Sequence, residues 1–156
     1  MRTVQQYYDD NRDKILFDVR ALEEYEKETI EASIHYYWED MIKVLEDNKE
    51  EFEAKYSKDT PIYILCYTGQ KSEEIEDILD EMGYEAYSLD GGFVAYLRWK
   101  FNKYLEQDKE SGNNTSEENV KEIERSIVKK FRKPIWRKFT PVSYTHLRAH
   151  ETLSDL

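Results

Sequence analysis

The sequence predicts an α/β fold with a central, mainly parallel sheet flanked by helices. Three observations carry that expectation. Short apolar runs alternate with stretches of helical periodicity as far as about residue 105. The two strongest runs, residues 14–19 and 61–67, are apolar almost throughout, as parallel strands covered on both faces are. Stop signals, Gly83 and the Asp90-Gly91-Gly92 turn, then punctuate the second half of the pattern.

The elements follow in order. Residues 4–13 can form a short helix with Val4, Tyr7 and Tyr8 on one side. Lys14-Ile15-Leu16-Phe17-Asp18-Val19 reads as a buried strand, and residues 21–27 as a short helix with Leu22 and Tyr25 at i,i+3 spacing. Residues 30–36 look like a brief strand. Residues 38–56 read as one amphipathic helix, because Trp38, Met41, Ile42, Leu45, Phe52 and Tyr56 recur at helical spacing. After the Asp59-Thr60-Pro61 break comes the strongest strand, residues 61–67. A helix over 72–82 carries Ile75, Ile78, Leu79 and Met82 on one face, and Gly83 stops it. Residues 84–89 form another strand and residues 93–105 a final helix. Residues 107–119 contain no apolar side chain and read as a solvated linker. Helical spacing returns over 120–139, interrupted by Pro134.

The chain has 156 residues, enough for one compact domain and a tail. No stretch approaches 18 apolar residues, which excludes a membrane span. The N-terminus lacks an apolar signal core, and a single Cys excludes a disulfide framework or a Cys-rich zinc site. A cytoplasmic location is the expectation. The net charge of −11 is uneven. Residues 1–120 carry 14 basic and 30 acidic side chains, whereas residues 125–140 carry seven basic side chains and no acidic one. The body should repel nucleic acid and the distal segment attract it.

The chemistry is expected on Cys66-Tyr67-Thr68-Gly69-Gln70-Lys71-Ser72. Cys66 ends a strand and Ser72 begins a helix, so the loop lies at the carboxyl end of the sheet, where open α/β proteins bind ligands. Backbone N–H groups and the helix N-terminus there favour a thiolate, a nucleophile for a sulfur, phosphorus or arsenic centre. The competing reading is a small buried hydrophobe, the commoner fate of a lone Cys after a strand. Asp18 and Arg20 read as supporting residues that order neighbouring loops. His35 has no visible partner and is not assigned as a ligand, and no metal site is expected.

With those residues in view, residues 3–105 resemble a rhodanese-like domain, the fold of thiosulfate and persulfide sulfurtransferases. Leu16-Phe17-Asp18-Val19-Arg20 is similar to the family's early strand ending in Asp-Val-Arg. Glu23-Glu24-Tyr25, Ile30 and Ala32-Ser33-Ile34 resemble its next segment. Cys66 through Ser72 resembles the active-site loop, and Gly91-Gly92-Phe93-Val94-Ala95-Tyr96 the late double-glycine motif. The resemblance implies sulfur transfer with Cys66 as nucleophile and persulfide carrier, and with Tyr67, Thr68, Gly69, Gln70, Lys71 and Ser72 as the substrate-binding cradle. It implies no cofactor. The loop is the shorter form; phosphatase relatives carry one residue more.

The pattern departs from the family in several places. Tyr67 stands where the family often has Arg, which weakens capture of a free dianion such as thiosulfate. Glu28-Thr29 replaces the common Gly-His. Glu31-Ala32 replaces the usual Pro-Gly, a change expected to cost only turn rigidity. A persulfide donor protein, or a small sulfur donor, is the expected partner. Two alternatives remain: a catalytically silent binding module, and a phosphatase or arsenate-reductase-like enzyme on the same scaffold.

The expected organisation is a domain over 1–106, a linker over 107–119, a basic amphipathic helical segment over 120–140, and a tail over 141–156 that reads as non-native. Residues 125–140 interleave basic and aromatic side chains and are the expected tRNA contact. They resemble the lead-in to PP-loop ATPases of the tRNA 2-thiocytidine synthetase type, which implies a sulfur relay to tRNA thiolation. The family's Ser-Gly-Gly-x-Asp-Ser nucleotide motif is missing. Residues 142–152 resemble translated read-through of a sequencing-library adapter, so His146 and His150 enter no metal-site argument.

Overall fold

The computed structural model describes residues 1–110 and 119–126. The chain divides into two units, Met1–Trp99 and the part from Lys100 on. In chain order the elements are α1 (Val4–Asp9), β1 (Ile15–Asp18), α2 (Leu22–Lys27), β2 (Ile34–His35), α3 (Trp38–Asp47), α4 (Lys49–Lys55), β3 (Ile62–Leu65), α5 (Gln70–Glu81), β4 (Ala86–Ser88) and α6 (Gly92–Glu110). Residues 119–126 are helical.

The four strands form one parallel sheet in the order β2-β1-β3-β4. Asp18 lies opposite both His35 and Leu65, and Ile64 lies opposite Ser88, so the carboxyl ends of the strands share one rim. Alternation along the strands sends Phe17, Val19, Ile62, Ile64 and Cys66 into one cluster with Met41 and Leu45 of α3, Phe52 of α4, and Ile75 and Leu79 of α5. Leu16, Tyr63 and Leu65 are equally buried, which is why these strands read as continuous apolar runs. The Tyr63 ring meets Tyr7 of α1 edge-on at 4.9 Å.

Several expected elements differ in extent from the observed ones, and for three the structure shows the reason. The helix expected over 38–56 is broken at Asn48, whose backbone leaves the helical region (φ −149°, ψ 54°) while its side chain donates to Glu51 Oε2 at 2.9 Å. Asparagine satisfies backbone and side-chain partners locally, so it ends one helix and opens the next without losing either apolar stripe. The strand expected over 30–36 shrinks to Ile34–His35 because a turn precedes it. In that turn Ala32 takes φ +69°, the left-handed region that favours glycine. The Glu31-Ala32 change therefore costs backbone strain, beyond the loss of turn rigidity expected from sequence. The last helix runs to Glu110, past the expected Leu105, through polar residues that are good helix formers.

Among the described residues, no helix is long and apolar enough to cross a membrane. The basic segment beyond residue 126, the resemblance to a PP-loop lead-in and the tail from residue 141 lie outside the described residues.

Candidate active site

Cys66 follows directly on β3 and is buried at the floor of the 66–72 loop. The loop's turn is made by Gly69, whose φ of +108° is one that side chains rarely adopt. Gly69 stands at the N-cap of α5, and its backbone N–H donates to Cys66 Sγ at 2.9 Å. Ser72, in the first turn of α5, places its Oγ 3.2 Å from the same sulfur. The sulfur thus sits against the amino end of a 12-residue helix, where backbone partial charge favours an anion. Tyr67 is half-buried, Thr68 and Gln70 are exposed, and Ser72 is fully buried.

Lys71 is the loop's only cation. Its ammonium lies 4.2 Å from the centroid of the Trp38 ring and 3.6 Å from Glu74 Oε2. Among the described residues, the sulfur's hydrogen-bond partners are the Gly69 N–H and the Ser72 hydroxyl, not this ammonium. The loop therefore meets an incoming group with backbone N–H and a serine hydroxyl, not with a guanidinium fork.

The double glycine supports this loop from behind. Gly92 opens α6 at φ +61°, and a Cβ there would lie 2.6 Å from the carbonyl oxygens of both Cys66 and Tyr67. The space that only glycine leaves lets Phe93 N–H donate to the Cys66 carbonyl at 2.8 Å and Val94 N–H to that of Tyr67 at 3.5 Å. The amino ends of α5 and α6 thus hold the Cys66 segment from its side chain and its backbone.

Asp18 and Arg20 do not reach the sulfur by any contact described. They form a buried two-pronged pair, Arg20 Nε to Asp18 Oδ1 at 3.0 Å and Nη2 to Oδ2 at 2.8 Å. Arg20 Nη2 also donates to the Glu28 carbonyl at 2.6 Å, and Thr29 Oγ1 to Asp18 Oδ2 at 2.7 Å. Its guanidinium lies 3.7 Å from the centroid of the Phe93 ring. The pair ties the segment after α2 to the start of α6, and so bears on the loop through Phe93. His35 Nε2 lies 2.7 Å from the Arg20 carbonyl oxygen and serves that same corner. Among the described residues, no group of three or more His, Cys, Asp or Glu side chains could hold a metal ion.

Two contributors were not legible from sequence. Trp38, at the start of α3, lies under the Lys71 ammonium, and Ser88 lies beneath Ser72, its Oγ 2.6 Å from Ser72 Oγ. Neither sits in a local motif; parallel pairing and helix packing bring them in.

Comparison with known proteins agrees with this geometry. A family model described as rhodanese-like domain matches residues 2–98. The thiosulfate sulfurtransferase GlpE of Coxiella burnetii is 36% identical over 86 residues, covering 54% of this chain and 73% of that protein. A tRNA sulfurtransferase of Desulfurococcus amylolyticus is 31% identical over 84 residues, covering 54% of this chain but only 15% of that protein. Among solved structures, a rhodanese-related protein from Thermoplasma volcanium superposes with a TM-score of 0.51 at 18% identity, covering 63% of this chain and 92% of that one, a likeness of fold.

Proposed function

The chain belongs to the rhodanese-like domain family and is a sulfurtransferase of the rhodanese type, and we propose that it carries sulfane sulfur as a persulfide on Cys66. The observation that carries this reading is the Cys66 sulfur itself, within 2.9 Å of the Gly69 N–H and 3.2 Å of the Ser72 hydroxyl at a helix amino end. The Cys66 thiolate attacks the outer sulfur of the donor. An S–S bond forms to Cys66, the donor's own S–S bond breaks, and the donor leaves as a thiolate with the electron pair. An acceptor nucleophile then takes the outer sulfur and returns Cys66 to the thiolate. The cradle's Gly69 N–H stabilises the sulfur anion at each end of this cycle.

The preferred donor is a persulfide rather than thiosulfate, although the GlpE relative is named for thiosulfate. A free dianion is met best by a guanidinium fork, and the loop offers only Lys71, whose ammonium lies over the Trp38 ring and 3.6 Å from Glu74 Oε2. The acidic body, with 30 acidic against 14 basic side chains over residues 1–120, repels the dianion further. The relay proceeds toward tRNA thiolation, supported by the seven basic side chains over 125–140 and by the partial likeness to a tRNA sulfurtransferase.

The test is sulfur transfer to a thiol acceptor by the full chain, with a persulfide donor and with thiosulfate. Wild type should turn over the persulfide faster, and Cys66→Ser should transfer from neither. Transfer that survives in Cys66→Ser would overturn the assignment, and a preference for thiosulfate would overturn the choice of donor.

A further inference from the structure

Beneath the Cys66 sulfur lie two buried hydroxyls in series. Ser72 Oγ is 3.2 Å from Cys66 Sγ, 3.1 Å from the Gly69 carbonyl and 2.6 Å from Ser88 Oγ, and both serines are completely buried. Ser72 has one proton and three neighbours that could take it. The Gly69 carbonyl already accepts the Glu73 N–H at 3.1 Å, so it is not left orphaned when the Ser72 proton turns elsewhere. A thiolate accepts only, so Ser72 must donate to it to stabilise it.

The Ser88 hydroxyl is placed to bias which way that proton points. Among the described residues, the Ser88 hydroxyl has Ser72 as its hydrogen-bond partner. Its backbone is locked on both sides: the N–H donates to Glu76 Oε2 at 2.6 Å and the carbonyl accepts from Arg2 N–H at 3.0 Å. Register with Ile64 on β3 fixes its place one strand over from the Cys66 segment. A donor held there occupies a lone pair of Ser72 and leaves the Ser72 proton for the sulfur.

We propose that Ser88 is a positioning residue for sulfur transfer, acting on Cys66 through Ser72. The relay runs from the Ser88 O–H to Ser72 Oγ, and from the Ser72 O–H to the Cys66 sulfur. It rests on the reading of Cys66 as the nucleophile. Donation along the chain polarises each hydroxyl and strengthens the bond to the thiolate. The same direction would serve after sulfur is handed on, when the thiolate is released again.

The experiment follows the rate of Cys66 alkylation by iodoacetamide in slightly acidic buffer, on the full chain, with four proteins: wild type, Ser72→Ala, Ser88→Ala and the double variant. Alkylation needs no sulfur donor, so it reads the thiolate directly. Loss of a hydrogen bond lowers the thiolate population more than it raises intrinsic nucleophilicity, so the rate falls. Ser88→Ala should react about threefold more slowly than wild type, the effect of one weakened hydrogen bond. In the Ser72→Ala background, Ser88→Ala should change nothing, because the relay is already cut. A Ser88 that merely supported the fold would slow the reaction in both backgrounds. Equal losses in the two backgrounds, or a wild-type rate in Ser88→Ala, would overturn the proposal. Absence of sulfur uptake by wild type would instead count against Cys66 as carrier and leave this result readable by itself.

Discussion

Ala32 shows how a single residue can depart from the local pattern at a measurable cost. It holds φ +69° in the turn before β2, a conformation that costs a residue with a Cβ about 1–2 kcal/mol. Glycine there relieves that strain but returns about 0.4–1 kcal/mol through the greater freedom of the unfolded chain. The relief outweighs the loss, so Ala32→Gly should stabilise the protein by about 0.5 kcal/mol, read as a rise of a few degrees in melting temperature. A lower melting temperature would show that the turn is not strained. At Gly92 the balance runs the other way, because a Cβ would meet backbone carbonyls that cannot move without releasing the Cys66 segment. Cys66, Gly69 and Ser72 were legible in sequence because one strand end, one glycine and one helix start fix them locally. The strain at Ala32 was not, since composition does not report φ.

At the scale of elements, legibility followed the range of the signal. β1, β3 and α5 were readable because continuous apolar runs and a 3.6-residue period are written in contiguous residues. The break at Asn48 was hidden because Leu45 and Phe52 keep helical spacing across it. Ser88 and Trp38 were hidden because their neighbours are brought in by β3–β4 pairing and by helix packing. The docking of α1 on the sheet illustrates a junction that only the structure reveals. Asp10, just after α1, receives Arg12 Nε at 2.9 Å and the Tyr63 hydroxyl at 2.6 Å. Arg12 first, and Tyr63 next, hold the Asp10 carboxyl below the ordinary carboxylate range. Burial, with Asp10 adding to it, pushes the Tyr63 hydroxyl up to about 12.

The signs then differ at the two ends of the pH scale. The folded Asp10 binds protons less readily than the unfolded one, so its contribution is present above the ordinary carboxylate range and is lost as pH falls through the lowered one. The folded Tyr63 keeps its proton longer, so its contribution is full below the ordinary tyrosine value of about 10 and is lost as pH rises from there toward about 12. Urea midpoints measured across pH should therefore fall at both ends. Asp10→Asn should flatten the acid limb and Tyr63→Phe the alkaline one. An acid limb unchanged in Asp10→Asn would mean that other carboxylates carry it.

At the scale of the whole molecule, charge is divided unevenly along the chain. Residues 1–120 have a charge of −16 and residues 121–156 of +5. If the basic residues meet tRNA, affinity of the full chain should fall steeply as salt is raised, because each neutralised phosphate releases counterions. Replacing Lys129, Lys130, Arg132 and Lys133 together with Ala should weaken binding and flatten that salt dependence while leaving sulfur loading intact. Binding unchanged by this replacement would place any tRNA contact elsewhere.

The proposed function rests on one buried sulfur, held at the amino end of α5 while α6 fixes its backbone, as the carrier of sulfane sulfur. Its most direct test is the intact mass of the full chain after incubation with a persulfide donor, before and after a reductant. The expected result is a gain of one sulfur atom per chain, removed by the reductant and missing in Cys66→Ser. Sulfur loading that persists in Cys66→Ser, or a wild-type chain that gains none, would contradict it.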